Sequence, residues 1–227
     1  MPEQQPKFET RPGPDVPNLQ TGRLYGGLST VERDGQRRAA VLEAGLELFG
    51  TRGYGPSSMT EIAERAGVPF RYLSRLFADK AALLEALFCD LHADVFKAVV
   101  EARAAAAVEL RAQIRAGLTA ALLTFTRDPR RLRIACLEVV GVSVHFEQLR
   151  RRTARQFVDL LVHGLDSAAE AGAALPENYP LLGVGLVGAI DALLTDWAIA
   201  PLEPRPALDE LLEAGCLIYL RTLGLPA

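Results

Sequence analysis

An all-α protein is what this sequence predicts, and three observations carry the expectation. Apolar residues recur at i, i+3, i+4 and i+7 over most of the chain. Almost no stretch alternates apolar with polar residues as a half-buried strand does. Residues that start and stop helices bracket the periodic segments. About nine helices are expected: three in an N-terminal helix-turn-helix unit, the rest in a C-terminal helical body. The expected divisions are a disordered arm over 1–32, the helix-turn-helix domain over 33–80 and the body over 81–227.

Taken in order, the arm is rich in proline (Pro2, Pro6, Pro12, Pro14, Pro17) and poor in large apolar groups. From Arg37 to Arg52 the period turns helical, with Leu42, Leu46 and Phe49 on one face. Gly53-Tyr54-Gly55-Pro56 then stops the helix and turns the chain. Ser58 and Glu61 have the spacing of a capping box, in which each satisfies a free backbone N–H of the other. Met59, Ile62, Ala63 and Ala66 form the buried face of that short helix. Gly67 lets the chain leave it, and Pro69 suits the first turn of the next. Leu73, Leu76 and Phe77 give this second short helix an apolar face, leaving Phe70, Arg71, Ser74 and Arg75 pointing elsewhere.

Asp79-Lys80 begins a longer helix striped by Leu84, Leu87, Phe88, Leu91 and Val95. Leu110, Ile114, Leu118, Ala121 and Phe125 stripe another, broken at Asp128-Pro129. Helices follow over roughly 130–140, 143–171, 181–200 and 207–223, separated by Gly141, by Gly172 with Pro176, and by Pro201, Pro204 and Pro206. No repeat of 20 to 50 residues is present, which argues against a solenoid.

Length and charge narrow the classes further. A chain of 227 residues, 49% of them apolar, suits one large domain or two small ones sharing a helix. Its formal net charge of −3 argues against a protein that coats nucleic acid indiscriminately, but the local field decides specific binding. Between Arg65 and Lys80 that field is positive: Arg65, Arg71, Arg75 and Lys80 face Asp79 alone. Three widely spaced cysteines without a C-x-x-C pair suit a reducing cytosol and plain packing. No cationic segment followed by an apolar run suggests a secretory signal. The 181–200 segment approaches membrane length but contains Asp191 and Asp196, each costing about 2.5–3.5 kcal/mol near a bilayer centre. No membrane partner is expected.

Residues 36 to about 97 resemble the DNA-binding domain of the tetracycline-repressor (TetR) family. The resemblance is carried by Gln36-Arg37-Arg38, Leu46-Glu47-Leu48-Phe49, Arg52-Gly53-Tyr54, Ser58-Met59, Glu61 to Val68, Leu73, Phe77 and Lys80 to Leu84. It implies a cytoplasmic bacterial transcriptional regulator, usually a repressor, that is all-α and homodimeric. It further implies double-stranded DNA with a palindromic operator as partner, and a small-molecule effector bound by the C-terminal domain. Carried over by position, Phe70, Arg71, Tyr72, Ser74 and Arg75 fall on the recognition helix. Ser58 and Lys80 fall at helix starts against phosphate, where free N–H groups favour anions. Arg71 or Arg75 suits guanine O6 and N7, and Phe70 suits a thymine methyl. Two positions depart from the family's pattern: Ser74 replaces a frequent aromatic, and Leu76 a frequent His.

Outside the head the residues leave alternatives open. Glu138 and His145 flank Gly141 among Phe125, Leu137 and Phe146, which suits a mostly apolar effector pocket or a simple core with one satisfied histidine. Asp159, His163 and Asp166 share a helix face as an imidazole-orienting set or as exposed charges; Asp90, His92 and Asp94 read as surface. Arg150, Arg151, Arg152 and Arg155 read as a solvated face or intersubunit ion pairs. Leu182, Leu186, Ile190, Leu193 and Trp197, with Leu208, Leu211, Leu212, Ile218 and Tyr219, stripe the last two helices as a dimer interface would. Gly183-x-Gly185-x-x-Gly188 lies in an apolar helix and reads as close helix packing, not as a nucleotide fingerprint. No G-x-S-x-G or P-loop is present, and neither a cofactor nor a metal is expected. The rival reading is a small all-α ligand-binding protein or enzyme whose helix-turn-helix is incidental packing. Salt dependence separates the two, since DNA affinity falls linearly in log–log form with salt.

Overall fold

The structure, a computed structural model, describes residues 30–199 and 206–226, and every regular element among them is helical. In chain order these are α1 (Thr30–Thr51), α2 (Met59–Arg65), α3 (Phe70–Leu76), α4 (Lys80–Ala105), α5 (Leu110–Thr126), α6 (Pro129–Arg133), α7 (Val144–Glu170), α8 (Tyr179–Ile199) and α9 (Leu208–Thr222). A single π-helical turn, Ile134–Glu138, continues α6. Positions 1–29, most of the expected arm, lie outside the described residues. Residues 37–227 form one compact unit, and the chain up to Gln36 is a separate one.

Local chemistry sets most helix boundaries. Ser58 Oγ accepts the Glu61 amide at 3.2 Å while the Ser58 amide donates to Glu61 at 2.9 Å, completing the capping box. Gly67 takes φ +64°, a backbone conformation that side chains disfavour, and so ends the helix-turn-helix's first arm. Asp79, Asp128 and Ser143 each cap the helix that follows them. The first helix begins seven positions earlier than the sequence period indicates, because its opening turn exposes Val31 and Glu32 and so carries no stripe.

Two apolar cores share α4. Val41, Phe49, Ile62 and Leu73 of the first three helices pack with Leu83, Leu84 and Phe88 of α4. The same core takes Ile134, Val139 and Phe146 from the body. Further along α4, Leu91, Val95 and Val99 join Leu118, Leu122, Leu165, Leu186 and Leu220 in the second core. Residue 80, the expected domain boundary, is thus the first residue of a helix that belongs to both.

The apolar stripes of the last two helices are covered largely by the subunit itself. Leu186, Ile190, Leu211 and Tyr219 are buried within the subunit's own core, and Leu193, Trp197, Leu208, Leu212 and Ile218 pack partly buried against it. Leu182 is half-buried. The positions left outside are Leu181, Val184 and Ile199 on α8 and Leu217 on α9. Helix α8 is long and apolar enough to cross a membrane by composition, but its inner face packs in this core and Asp191 and Asp196 lie exposed. Of its three spaced glycines only Gly183 meets a neighbour closely: a Cβ there would lie 3.3 Å from Val162, whereas Gly185 and Gly188 face open space.

Contact between head and body is tightest at Gly50 of α1, where an added Cβ would lie 2.7 Å from the Arg130 Cα and overlap its Cβ. Arg130 also bridges Asp128 at 2.7 Å and Glu43 of α1 at 2.8 Å. Because the obstructing atoms include backbone, Gly50→Ala should destabilise the protein by about 1–3 kcal/mol. Thermal unfolding checks this, and an unchanged midpoint would show that the two elements separate freely.

Candidate DNA-reading head and ligand cavity

The outer face of α3 is cationic and aromatic. Its inner face holds the fully buried Leu73, so the register of the helix is fixed and Phe70, Arg71, Ser74 and Arg75 stay exposed. Phe70, a large apolar group half open to water, has no core role. Tyr72 is half-buried between two cations: the Arg75 guanidinium lies 5.2 Å from its ring centroid and that of Arg37 5.6 Å. The sequence reading missed Arg37 as a member of this face. Its exposure on α1 is visible in the period, but its approach to Tyr72 is not. Arg65, by contrast, donates twice to Glu47 at 2.7 Å and braces α2 against α1.

Ser58 and Lys80, expected at phosphates, are engaged within the head. The Ser58 amide and hydroxyl both turn to Glu61, which Arg52 also bridges at 2.8 Å. Lys80 sends its ammonium to the carbonyls of Tyr54 (2.7 Å), Ser57 (2.8 Å) and Gly55 (3.1 Å), 4.3 Å from the Tyr54 ring centroid. An ammonium has three N–H groups, and here each has a carbonyl. Lys80 is a clasp on the turn before α2.

The body holds a half-open cavity of about 580 Å³, within the usual size of small-molecule sites. Helices α4, α5, α7 and α8 supply most of its wall, with Ala135 and Cys136 of the π turn and Tyr219 of α9. Of the five expected pocket residues only Phe125 lines it. Leu137 packs against the body core, and Phe146 is fully buried in the head core. Exposed His145 pairs with Glu85 at 2.8 Å. Glu138 sits at the head instead, accepting the Tyr54 amide at 2.6 Å and the Arg133 Nε at 2.7 Å.

His92, expected at the surface, is the histidine of the cavity. Its ring lies 4.0 Å from that of Phe88 and 5.5 Å from that of Phe125. Burial pushes its pKa down to about 4, with the charges of Arg150 and Arg131 acting in the same direction. Its Nδ1 lies 2.9 Å from the Phe88 carbonyl, which only accepts, so the proton sits on Nδ1 and Nε2 remains an acceptor. Burial likewise pushes the Cys136 thiol up to about 11, so it stays protonated. Asp159 is held by Arg155 at 2.7 Å and Asp166 accepts the Tyr179 hydroxyl, so neither orients His163.

A helix-turn-helix with an exposed cationic second helix, joined through one long helix to a cavity-bearing body, is the arrangement of a DNA-binding transcription regulator. The family model "Bacterial regulatory proteins, tetR family" matches residues 41–87. The HTH-type transcriptional regulator BetI of Burkholderia thailandensis is 30% identical over 179 residues, 76% of this chain and 88% of the relative. Among solved structures, the fatty acid degradation regulator FadR of Bacillus halodurans matches 81% of this chain and 94% of its own at a TM-score of 0.73 and 17% identity. The Bacillus subtilis regulator FadR in complex with stearoyl-CoA matches 82% and 99% at 0.72 and 16%. At those identities the two structures speak for the fold. The chain belongs to the TetR family. It is a DNA-binding regulator of transcription and not an enzyme.

The His92 environment has a measurable consequence. A folded-state pKa below the unfolded value means the unfolded chain takes up a proton that the folded chain refuses. Its contribution is therefore complete above pH 6.5 and is lost as pH falls toward about 4, by roughly 3 kcal/mol at most. His92→Leu should flatten the dependence of the melting temperature on pH across that window. Parallel wild-type and variant curves would contradict the neutral buried ring.

Proposed function

We propose that this protein is a homodimeric repressor, acting in the bacterial cytoplasm on a palindromic operator and released from it by a small molecule bound in the cavity. One observation carries the reading: the π turn forms cavity wall at Ala135 and Cys136 and, two residues later, holds the head through Glu138. A ligand pressing on that wall acts on a segment whose other end grips the turn before α2. Helix α4 offers a second route, since Phe88 and His92 line the cavity while Leu83 and Leu84 sit in the head core. By linkage, the effector weakens DNA binding by its differential affinity for the two head arrangements.

Arg71 and Arg75 are assigned to base edges, with Phe70 on a thymine methyl and Ser74 on backbone or base. Tyr72 holds Arg75 and Arg37 at working distance. Ser58 and Lys80 keep the head in shape. A second copy covers the exposed face of α8, where Leu181, Val184, Gly185, Gly188 and Ala192 recur at i, i+3, i+4, i+7 and i+11 and are all exposed, Val184 and Gly188 also bordering the cavity. Small residues there admit close helix approach. Twofold pairing places two α3 helices about 34–36 Å apart, one DNA turn.

Fluorescence anisotropy against an operator found by genome-wide binding tests these roles. Arg75→Ala should cost about 1–3 kcal/mol and relax sequence preference at one base pair per half-site. Lys80→Met should lower the melting temperature yet leave the slope of log affinity against log salt unchanged in the folded fraction. A slope shallower by about one would return Lys80 to the phosphate backbone. A wild-type protein with no steep salt dependence would defeat the regulator reading.

A further inference from the structure

Four arginines reach the cavity wall: Arg103, Arg150, Arg151 and Arg155. Arg150 has Glu147 at 3.3 Å and Asp191 at 3.8 Å, and Arg155 has Asp159 at 2.7 Å. Arg151 is exposed to water. Arg103 is neither neutralised nor exposed. It is half-buried, and no carboxylate of the described residues lies within ion-pair distance of it. Its Nη1 donates to the Leu160 carbonyl at 2.8 Å, which uses one of the five N–H groups of a guanidinium. Burial alone pulls its pKa down, and no neighbouring anion opposes that pull. A cation drawn partly out of water without a counter-charge is favoured when something anionic completes the site.

The surrounding helices are shaped around this side chain. On α7, a Cβ at Gly164 would overlap the Arg103 Nη2. On α5, a Cβ at Gly117 would lie 3.3 Å from the Arg103 Cγ and Cδ. A glycine inside a helix weakens it, so two such positions facing one arginine mark a built slot. From Arg103 the α4 wall runs roughly 16 Å to His92, at 1.5 Å per residue. At that second end Phe88, His92 and Phe125 form a ring cluster, and Val99, Leu118 and Leu161 are among the apolar groups of the wall.

We infer that the cavity binds an elongated amphiphile carrying one carboxylate, with the carboxylate on Arg103 and the apolar body extending along α4 toward the ring cluster. A planar fork of donors matches a carboxylate in two parallel bonds, and one half-buried cation without a counter-charge calls for a single negative charge. Neutral His92 adds an acceptor at the far end without adding charge. The inference deepens the effector reading and rests on it only for the consequence of binding, not for binding itself.

Calorimetry on the full-length protein, with dodecanoate, dodecanol and dodecyl phosphate as probes, tests it. Dodecanoate should bind about tenfold to a hundredfold more tightly than dodecanol, the range of a charge-assisted hydrogen-bond pair. Arg103→Met should erase that ratio while leaving dodecanol affinity nearly unchanged. Gly164→Ala, which keeps the arginine but displaces its guanidinium, should reduce the ratio in the same direction and guards against misfolding of the first variant. Equal binding of acid and alcohol, a ratio untouched by both variants, tighter binding of dodecyl phosphate, or no binding of dodecanoate would each overturn the inference. Dodecanoate bound through Arg103 with operator affinity unaltered would instead sink the effector reading and leave this one standing.

Discussion

Between α1 and α2 the chain turns at Gly53, and the Lys80 ammonium holds that turn through the carbonyls of Tyr54, Gly55 and Ser57 while Glu138 takes the Tyr54 amide. A backbone turn with its polar groups drawn inward is stable only when each finds a partner. Here the partners come from opposite directions, one at the start of α4 and one from the π turn of the body. The placement of α2, and of α3 behind it, depends on that double grip. Arg133 reinforces it by bonding both Glu138 and the Thr51 carbonyl at the end of α1. Helix α3 is therefore positioned by the same segment that forms part of the cavity wall.

Such an arrangement explains why the head has no independent core. Seven residues of α3 cannot bury enough surface alone, and α2 is equally short. Ile134, Val139, Phe146 and Leu149 of the body complete the apolar environment of Phe49, Ile62 and Leu73. Stability of the head and shape of the body are then one property. A π turn at this junction fits the pattern in which irregular helical hydrogen bonding concentrates at functional places.

What was legible in the sequence was local. The capping box at Ser58, the left-handed Gly67, the break at Asp128-Pro129 and the exposed cationic face of α3 each depend on residues within one or two helical turns. What the sequence left out of view depended on partners far along the chain. Glu138 lies 84 residues from Tyr54, and Lys80 reaches back 26 residues to the same turn. Asp90, His92 and Asp94 were all read as surface, yet alternate residues on a helix diverge. That divergence places His92 inside as Asp90 and Asp94 face out.

The stripes of α8 and α9 teach the same distinction. An apolar period states that a face is covered, and it is silent on whether the cover is the same subunit or another. Helical class, the order of elements and the chemistry of the exposed face of α3 followed from the sequence alone, because propensity, capping and period act over a few residues. Only the tertiary structure decided which arginine of the cavity wall is half-buried without a counter-charge, which histidine enters the cavity and which face of α8 stays open. Those depend on distances between segments remote in the chain, and no local pattern encodes them.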